Sequence, residues 1–303
     1  MADFIKNPTE NEEVTVVYRG VYDDTPDNAS VHIEEGIVEI AENAFRDFEH
    51  LTEIYLPKSL VKISACAFSG CKNLKRVHME YGLLEIGDEA FSGCSSIYDV
   101  NIPDTVKRVG EGAFEGCASL TKVKLSESVY MIGAGAFAYC FNLAEITIPD
   151  SCVLVEFNCF YSCFSLEAVK LSDNMALIDD CTFEGCRSLK TVEMPVKLRK
   201  IGRRAFSGCT SLVSLILPVG TSAIGLDAFF GCSSLSRIAI PKALSELEDT
   251  DIFNGCDSLT EISFGGDRNA FENLTRGTAL TVQRSDLSTF TPKINFMDLK
   301  DEI

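Results

Sequence analysis

Thirteen cysteines and three histidines are the residues of this 303-residue chain best suited to bind a metal, form disulfides or act as nucleophiles. Zinc sites draw their ligands from closely spaced Cys and His pairs. Here no Cys-x-x-Cys occurs, and the close pairs are Cys66/Cys71, Cys159/Cys163 and Cys181/Cys186. His32, His50 and His78 are scattered, none at ligand spacing from another, and read as surface residues. Gly133-Ala134-Gly135 opens like a dinucleotide fingerprint but lacks its third glycine, and the chain has no G-x-S-x-G, P-loop or H-E-x-x-H. The expectation is binding without catalysis, with no catalytic residue, metal or cofactor.

A repeat accounts for most of the cysteines. Phe occurs at 45, 68, 91, 114, 137, 160, 183, 206 and 229, always 23 residues apart, and again at 253 after a one-residue insertion. Three residues after each comes Cys71, Cys94, Cys117, Cys140, Cys163, Cys186, Cys209, Cys232 or Cys256, with Phe48 in that place in the first unit. Cysteines stacked in register point in parallel, a geometry that disfavours disulfides. They read as buried reduced thiols that pack as small hydrophobes, and many free thiols suit a reducing compartment. Cys66, Cys152, Cys159 and Cys181 fall outside this ladder; they are better candidates for reaction than the ladder thiols, with a structural role still the leading expectation for them.

Each unit holds the elements that would position these ladders. A strand-like run such as Leu120-Thr121-Lys122-Val123-Lys124-Leu125 alternates one buried and one wet edge. A proline often closes it, at 57, 103, 149, 195, 218 and 241, marking a corner. A second short extended run ends at Ile40, Ile63, Ile86, Val109, Ile132, Val155, Ile178, Ile201, Ile224 and Leu247. In half the units a glycine follows, read as a tight turn. The Ala-Phe segment then reads as one helical turn. One unit cannot close a core, but stacked units bury each other's ladders. At ~4.8 Å per stacked strand, ten coils would span roughly 45–50 Å.

The pattern I-G-x-x-A-F-x-G-C-x-x-L-x-x-[IV]-x-[IL]-P resembles the BspA-like class of leucine-rich repeats, and the match covers about residues 31–264. The resemblance implies a repeat solenoid, a right-handed leucine-rich-repeat superhelix of stacked short β-strands and short helical turns, mostly β. It further implies a bacterial or protozoan protein, often at the cell surface, that engages proteins or other cells. The expected organisation is an N-terminal extension and capping strand over 1–30, about ten units over 31–264, and a C-terminal cap and tail over 265–303. Val14–Tyr18 would cover the first coil. Leu280, Val282, Phe290, Ile294 and Phe296 would cover the last, and the stretch from Phe264 to Phe271 resembles the irregular cap of such domains.

A formal net charge of −18 disfavours nucleic acid and anionic membranes as partners. No apolar run is long enough to span a bilayer. Residues 1–30 are acidic, without the basic and apolar regions of a secretory signal. The chain as given therefore reads as cytoplasmic, and as a cell-surface protein if a signal was removed. The absence of Trp removes the best stacking platform for carbohydrate.

Two surfaces are candidates for binding. On the outward face of the first strands lie Tyr55, Arg76, His78, Asp99, Asn101, Lys122, Lys124, Lys170, Glu193 and Arg237. Opposite charges there would also stabilise a sheet without any ligand. In the fifth and sixth units, positions that are elsewhere small or charged become Tyr139, Phe141, Phe157, Tyr161 and Phe164, while Tyr130, Met131, Val153, Leu154 and Leu177 make the nearby second-strand positions apolar. Stacking would gather these into one patch, either an interface for a foreign protein or for a second copy of the chain, or a local widening of the core. The leading function is a non-enzymatic protein-interaction module. A surface adhesin is the alternative within binding, and an enzyme with an unrecognised site the alternative outside it.

Overall fold

The segment around each ladder Phe shows how the coils join. In the computed structural model, Phe68 N–H donates to Ala90 O of the next coil at 2.7 Å, and its neighbours Cys66 and Gly70 donate to Asp88 O and Ser92 O. The intervening N–H groups of Ala67, Ser69 and Cys71 close turns within their own coil, onto Ser64 O, Cys66 O and Phe68 O. Alternate amides thus serve the stack and the coil, which leaves no run of helical bonds. The Ala-Phe segment is a chain of tight turns and not the helical turn that local composition suggested. Such a chain needs a left-handed residue two places before the Phe and another two places after it, as at Cys66 (φ 53°) and Gly70 (φ 76°).

The structure describes residues 16–17, 29–249, 251–276 and 280–297. Within them the chain is a β-solenoid of about ten coils, numbered here 1 to 10 by their phenylalanines from Phe45 to Phe253. Each coil contributes a first strand, such as Lys122–Lys124, and a two-residue second strand, such as Met131–Ile132. Within each sheet equivalent strands pair in parallel at a 23-residue register, for instance Lys122 with Glu145 and Met131 with Leu154, and at 24 residues across the insertion, Arg237 with Glu261. The first strands form three sheets, divided after His78 and after Glu193. The second-strand ladder is interrupted between coils 6 and 7. That step falls where Glu156 and Asp179, both acidic, stand in the place of glycine. The glycines at that place are needed for close approach: a Cβ on Gly110 would lie 2.5 Å from the backbone of Gly87 in the preceding coil.

Additional strands lie against both ends of the stack. Val16–Val17, the described part of the expected N-terminal strand, pairs with Glu39–Ile40, and Ala29–His32 pairs with Leu51–Tyr55. At the other end Lys293–Phe296 pairs with Glu261–Phe264. A single helix, Arg268–Leu274, is capped by the Asp267 side chain, which accepts from Ala270 N–H. Phe271 from this helix is buried edge-on between Phe264 and Phe296. Exposed solenoid ends are templates for further strand pairing, so these covers limit aggregation.

Inside, the Phe rings stack nearly parallel from Phe45 to Phe253, with centroids 4.9 to 5.7 Å apart. This is the offset-stacked range. Each ladder cysteine donates its S–H to the Phe carbonyl of the preceding coil, as Cys94 does to Phe68 O at 3.0 Å and Cys163 to Phe137 O at 3.1 Å. The same carbonyl already accepts the backbone N–H of its own coil's cysteine. One oxygen therefore ties two coils together. All thirteen cysteines are free thiols.

Because contacts run only to adjacent coils, position along the stack sets the cost of a core deletion. Phe137→Ala, with a stacked ring on both sides, is expected to cost ~3–5 kcal/mol in urea unfolding. Phe253→Ala, at the last coil and stacked on Phe229 only among the described residues, is expected to cost less, and equal costs would show that the coils do not share their burial pairwise.

Candidate functional site

Strand register places the outward residues of the first strands in two columns. One runs Asp99, Lys122, Glu145, Ala168, Thr191; the other runs Asn101, Lys124, Thr147, Lys170, Glu193. All the predicted face residues are exposed except Tyr55 and His78, which are half-buried. The reason is a stack that the sequence did not reveal: the rings of His32, Tyr55 and His78 lie 4.1 Å apart, tilted by only 4°. Histidines here are part of an aromatic column and not isolated surface residues.

Glu53 sits beside that column with its side chain 15% exposed, taking Arg76 Nε at 2.6 Å and His78 Nε2 at 2.7 Å. The Arg76 hydrogen bond, and then that of His78, hold its carboxyl down at about 2, against an ordinary 4.5. Elsewhere the face is less tightly paired. Lys122, Lys124 and Lys170 have no ion-pair partner among the described residues. They border an open depression of about 500 Å³ whose rim also carries Glu127, Glu145 and Asp150.

The turns of coils 5 and 6 carry the second candidate surface. Tyr139 is 40% exposed, Phe141 37% and Phe157 49%, while Tyr161 and Phe164 are half-buried. Tyr139 meets Tyr161 and Phe141 edge-on at 5.3 and 6.2 Å. Phe141 stacks on Phe164 at 5.0 Å, and the Arg187 guanidinium lies over Phe164 at 4.7 Å. The rings therefore pack on one another and still present their outer faces to solvent.

The second-strand residues form a neighbouring stripe. Tyr130 and Val153 are exposed, and Met131 and Leu154, in register, are half-buried. Leu177 is half-buried too but lies across the interruption in the second-strand ladder.

A model of the BspA type leucine-rich repeat region matches residues 38–163 and 153–276, in six copies. The chain belongs to the BspA-type leucine-rich-repeat family. Membership implies a protein-interaction or surface repeat scaffold. Similar solved structures are a leucine-rich repeat protein from Bacteroides ovatus and one from Eubacterium ventriosum. The first is 26% identical, covering 88% of this chain and 83% of that one, with a TM-score of 0.47. The second is 20% identical, covering 76% and 83%, with a TM-score of 0.49. A leucine rich cell surface protein from Faecalibacterium prausnitzii is 23% identical, covering 83% and 91%, with a TM-score of 0.42. No curated protein matches the chain.

This BspA-type solenoid offers its cysteines little chemistry. Cys152 and Cys159, outside the ladder and read as mainly structural though likelier to react than the ladder thiols, are fully buried. Burial pushes the Cys152 thiol up to about 11, and burial, then Cys163, raise Cys159 well above its ordinary range. Only Cys66 and Cys181 are partly exposed, at the left-handed turn position. Burial and then Glu89 raise Cys66, while burial and then Glu184 push Cys181 up to about 12. A thiol held protonated is a poor nucleophile. Among the described residues no group of three His, Cys, Asp or Glu is placed to hold a metal, and no helix is long and apolar enough to cross a membrane.

Thiol labelling of the native protein should reach Cys66 and Cys181 alone, slowly and faster at alkaline pH, with the other eleven appearing only on unfolding. For Glu53 the folded pKa is depressed, so its stabilisation is present above pH 4.5 and is lost as pH falls through about 2. The stability difference between the unaltered protein and Glu53→Gln should stay constant above pH 4.5 and shrink below it; a gap that persists in strong acid would place the effect in packing.

Proposed function

We propose that this chain is a non-enzymatic protein-binding scaffold and that the exposed aromatic rings of coils 5 and 6 are its contact surface. The observation that carries this reading is the backbone of Tyr139. It lies at φ 59°, in the left-handed region, where coils 2, 3, 4, 7, 8, 9 and 10 place Gly70, Gly93, Gly116, Gly185, Gly208, Gly231 and Gly255. A bulky residue there costs ~1–2 kcal/mol relative to glycine, and strain of this kind gathers at functional positions. Burial does not offset the strain fully, because the ring stays 40% exposed. Tyr and Phe held by neighbouring rings are the residues favoured at contact cores. The solenoid beneath supplies the rigidity that lowers the entropic cost of binding.

The partner is a different protein and not a second copy. Glu89, Glu111 and Glu115 border the rings of Tyr139, Phe157 and Tyr161, so a two-fold contact centred there would bring like charges together in a chain of net charge −18. Light scattering after size exclusion should give a monomer mass across a concentration series, and a dimer mass would move the reading to self-association.

Folding separates contact surface from core. Tyr139→Gly is expected to leave stability within ~1 kcal/mol, since relief of strain offsets lost ring packing and the greater freedom of glycine in the unfolded chain. A loss of ~3 kcal/mol or more, the scale of buried aromatic deletions, would make the rings core. A photo-crosslinking residue at Phe157, in cells that make the protein, should yield a discrete adduct that one at Lys124 does not. Adducts from Lys124 alone would place the contact on the sheet face.

A further inference from the structure

The turn positions of coil 5 are unusually small, and this leaves a trough. Ala134, Gly135 and Ala138 stand where coil 4 has Glu111, Gly112 and Glu115 and coil 6 has Phe157, Asn158 and Tyr161. The trough has a volume of about 230 Å³. One wall is carboxylate, from Glu89, Glu111 and Glu115; the other is aromatic, from Phe157 and Tyr161, with Tyr139 alongside. The Tyr139 and Tyr161 rings stand at 72° to each other, forming a corner of two π surfaces. Its floor is open above Gly135, where a Cβ would meet only Ala138, at 3.8 Å.

No Lys, Arg or His side chain lies within ion-pair distance of these three carboxylates among the described residues. Burial, then Glu89 and Glu111, raise the Glu115 carboxyl above its ordinary range. The same solenoid shows how such a site is completed. Glu184 occupies in coil 7 the place of Glu115 in coil 4, and it takes Arg204 Nη2 of coil 8 at 2.8 Å. The equivalent of Arg204 one coil beyond Glu115 is Gly135. Both have the left-handed backbone, at φ 53° and 60°. The cation that Glu184 receives from its own chain is missing at Glu115.

Resting on the reading of this region as a contact surface, we propose that the trough receives an arginine side chain of the partner protein. The guanidinium pairs with Glu115 and its acidic neighbours, while its stem and π face lie along Phe157, Tyr161 and Tyr139. Cation–π contact and a charge-assisted hydrogen bond reinforce each other in such a corner. The net charge of −18 draws basic partners towards it.

The test is calorimetric titration of the full chain with a Gly/Ser peptide carrying arginines, and with its citrulline twin, which keeps the shape and loses the charge. The arginine peptide should bind about tenfold more tightly, equivalent to ~1.4 kcal/mol. Glu111→Gln with Glu115→Gln should remove that preference, and so should Gly135→Arg, which supplies the cation from within as Arg204 does. Glu246→Gln, remote from the trough, controls for general attraction to an acidic chain and should change nothing. Equal binding of the two peptides, no binding of either, or a preference that survives Gly135→Arg would overturn the arginine assignment. If Gly135→Arg also leaves the crosslink from Phe157 intact, the contact surface stands without it; loss of that crosslink in Tyr139→Gly but not in a sheet-face variant keeps the two outcomes separable.

Discussion

Everything in this molecule depends on the division of backbone hydrogen bonds at the Phe turns. One amide in two donates to the next coil and the other closes a turn in its own. That arrangement fixes the register at one repeat and leaves no freedom to slip, because a slip by one residue would exchange the two classes of amide. The interior then needs only residues that stack on themselves. Phenylalanine rings do so in an offset array, and cysteine adds an S–H that a second lone pair of the Phe carbonyl can accept. Alanine in place of cysteine would fill less space and leave that lone pair unused. The thiol ladder is thus explained by packing and hydrogen bonding, without any redox or metal chemistry.

The same register turns the surface into columns. A side chain's neighbours are its equivalents one repeat away, so a local change in a repeat position becomes a local patch. The ion pairs Arg76–Glu53 and Lys190–Glu167 follow from this rule at one repeat, and Arg204–Glu184, three residues short of a repeat, links adjacent coils as well. So does Arg108, which reaches both Glu85 and Asp88 of the coil before it. The pairs on the open surface contribute little to stability singly. Their value lies in showing which column positions can exchange charge across a coil boundary, and therefore which carboxylates the chain leaves for something else.

Much of this was legible before any coordinates, because periodicity is a one-dimensional property and a solenoid is a nearly one-dimensional fold. The Phe and Cys ladders, both strands and the coil-5 and coil-6 aromatics could all be read at a spacing of 23. The nature of the turn could not. Ala-Phe is as compatible with a helical turn as with alternating tight turns, and the deciding feature, a left-handed residue at both ends, is hidden when the position holds Cys66, Arg204 or Tyr139 in place of glycine. Spacing alone also could not rank the four cysteines outside the ladder: coil 6 buries Cys152 and Cys159, while Cys66 and Cys181 are partly exposed. The trough escaped notice because attention to large residues overlooks Ala134, Gly135 and Ala138. Their smallness matters only beside the acidic coil on one side and the aromatic coil on the other, and setting the columns side by side would have shown it.

Coil 5 departs from the repeat at two positions that bear on the trough. A repeat that could be built with glycine two places after every Phe uses tyrosine in coil 5, and a column that could pair its own charges uses glycine where an arginine fits. Either departure alone would be tolerable drift in a stable stack. Together they place a strained, half-exposed ring and a set of carboxylates without an ion-pair partner among the described residues around the same small cavity, within two coils of each other. Backbone strain at Tyr139 and like charges held close both lower the stability of the isolated chain. The coincidence of the two in one trough is the arrangement on which the proposed contact rests.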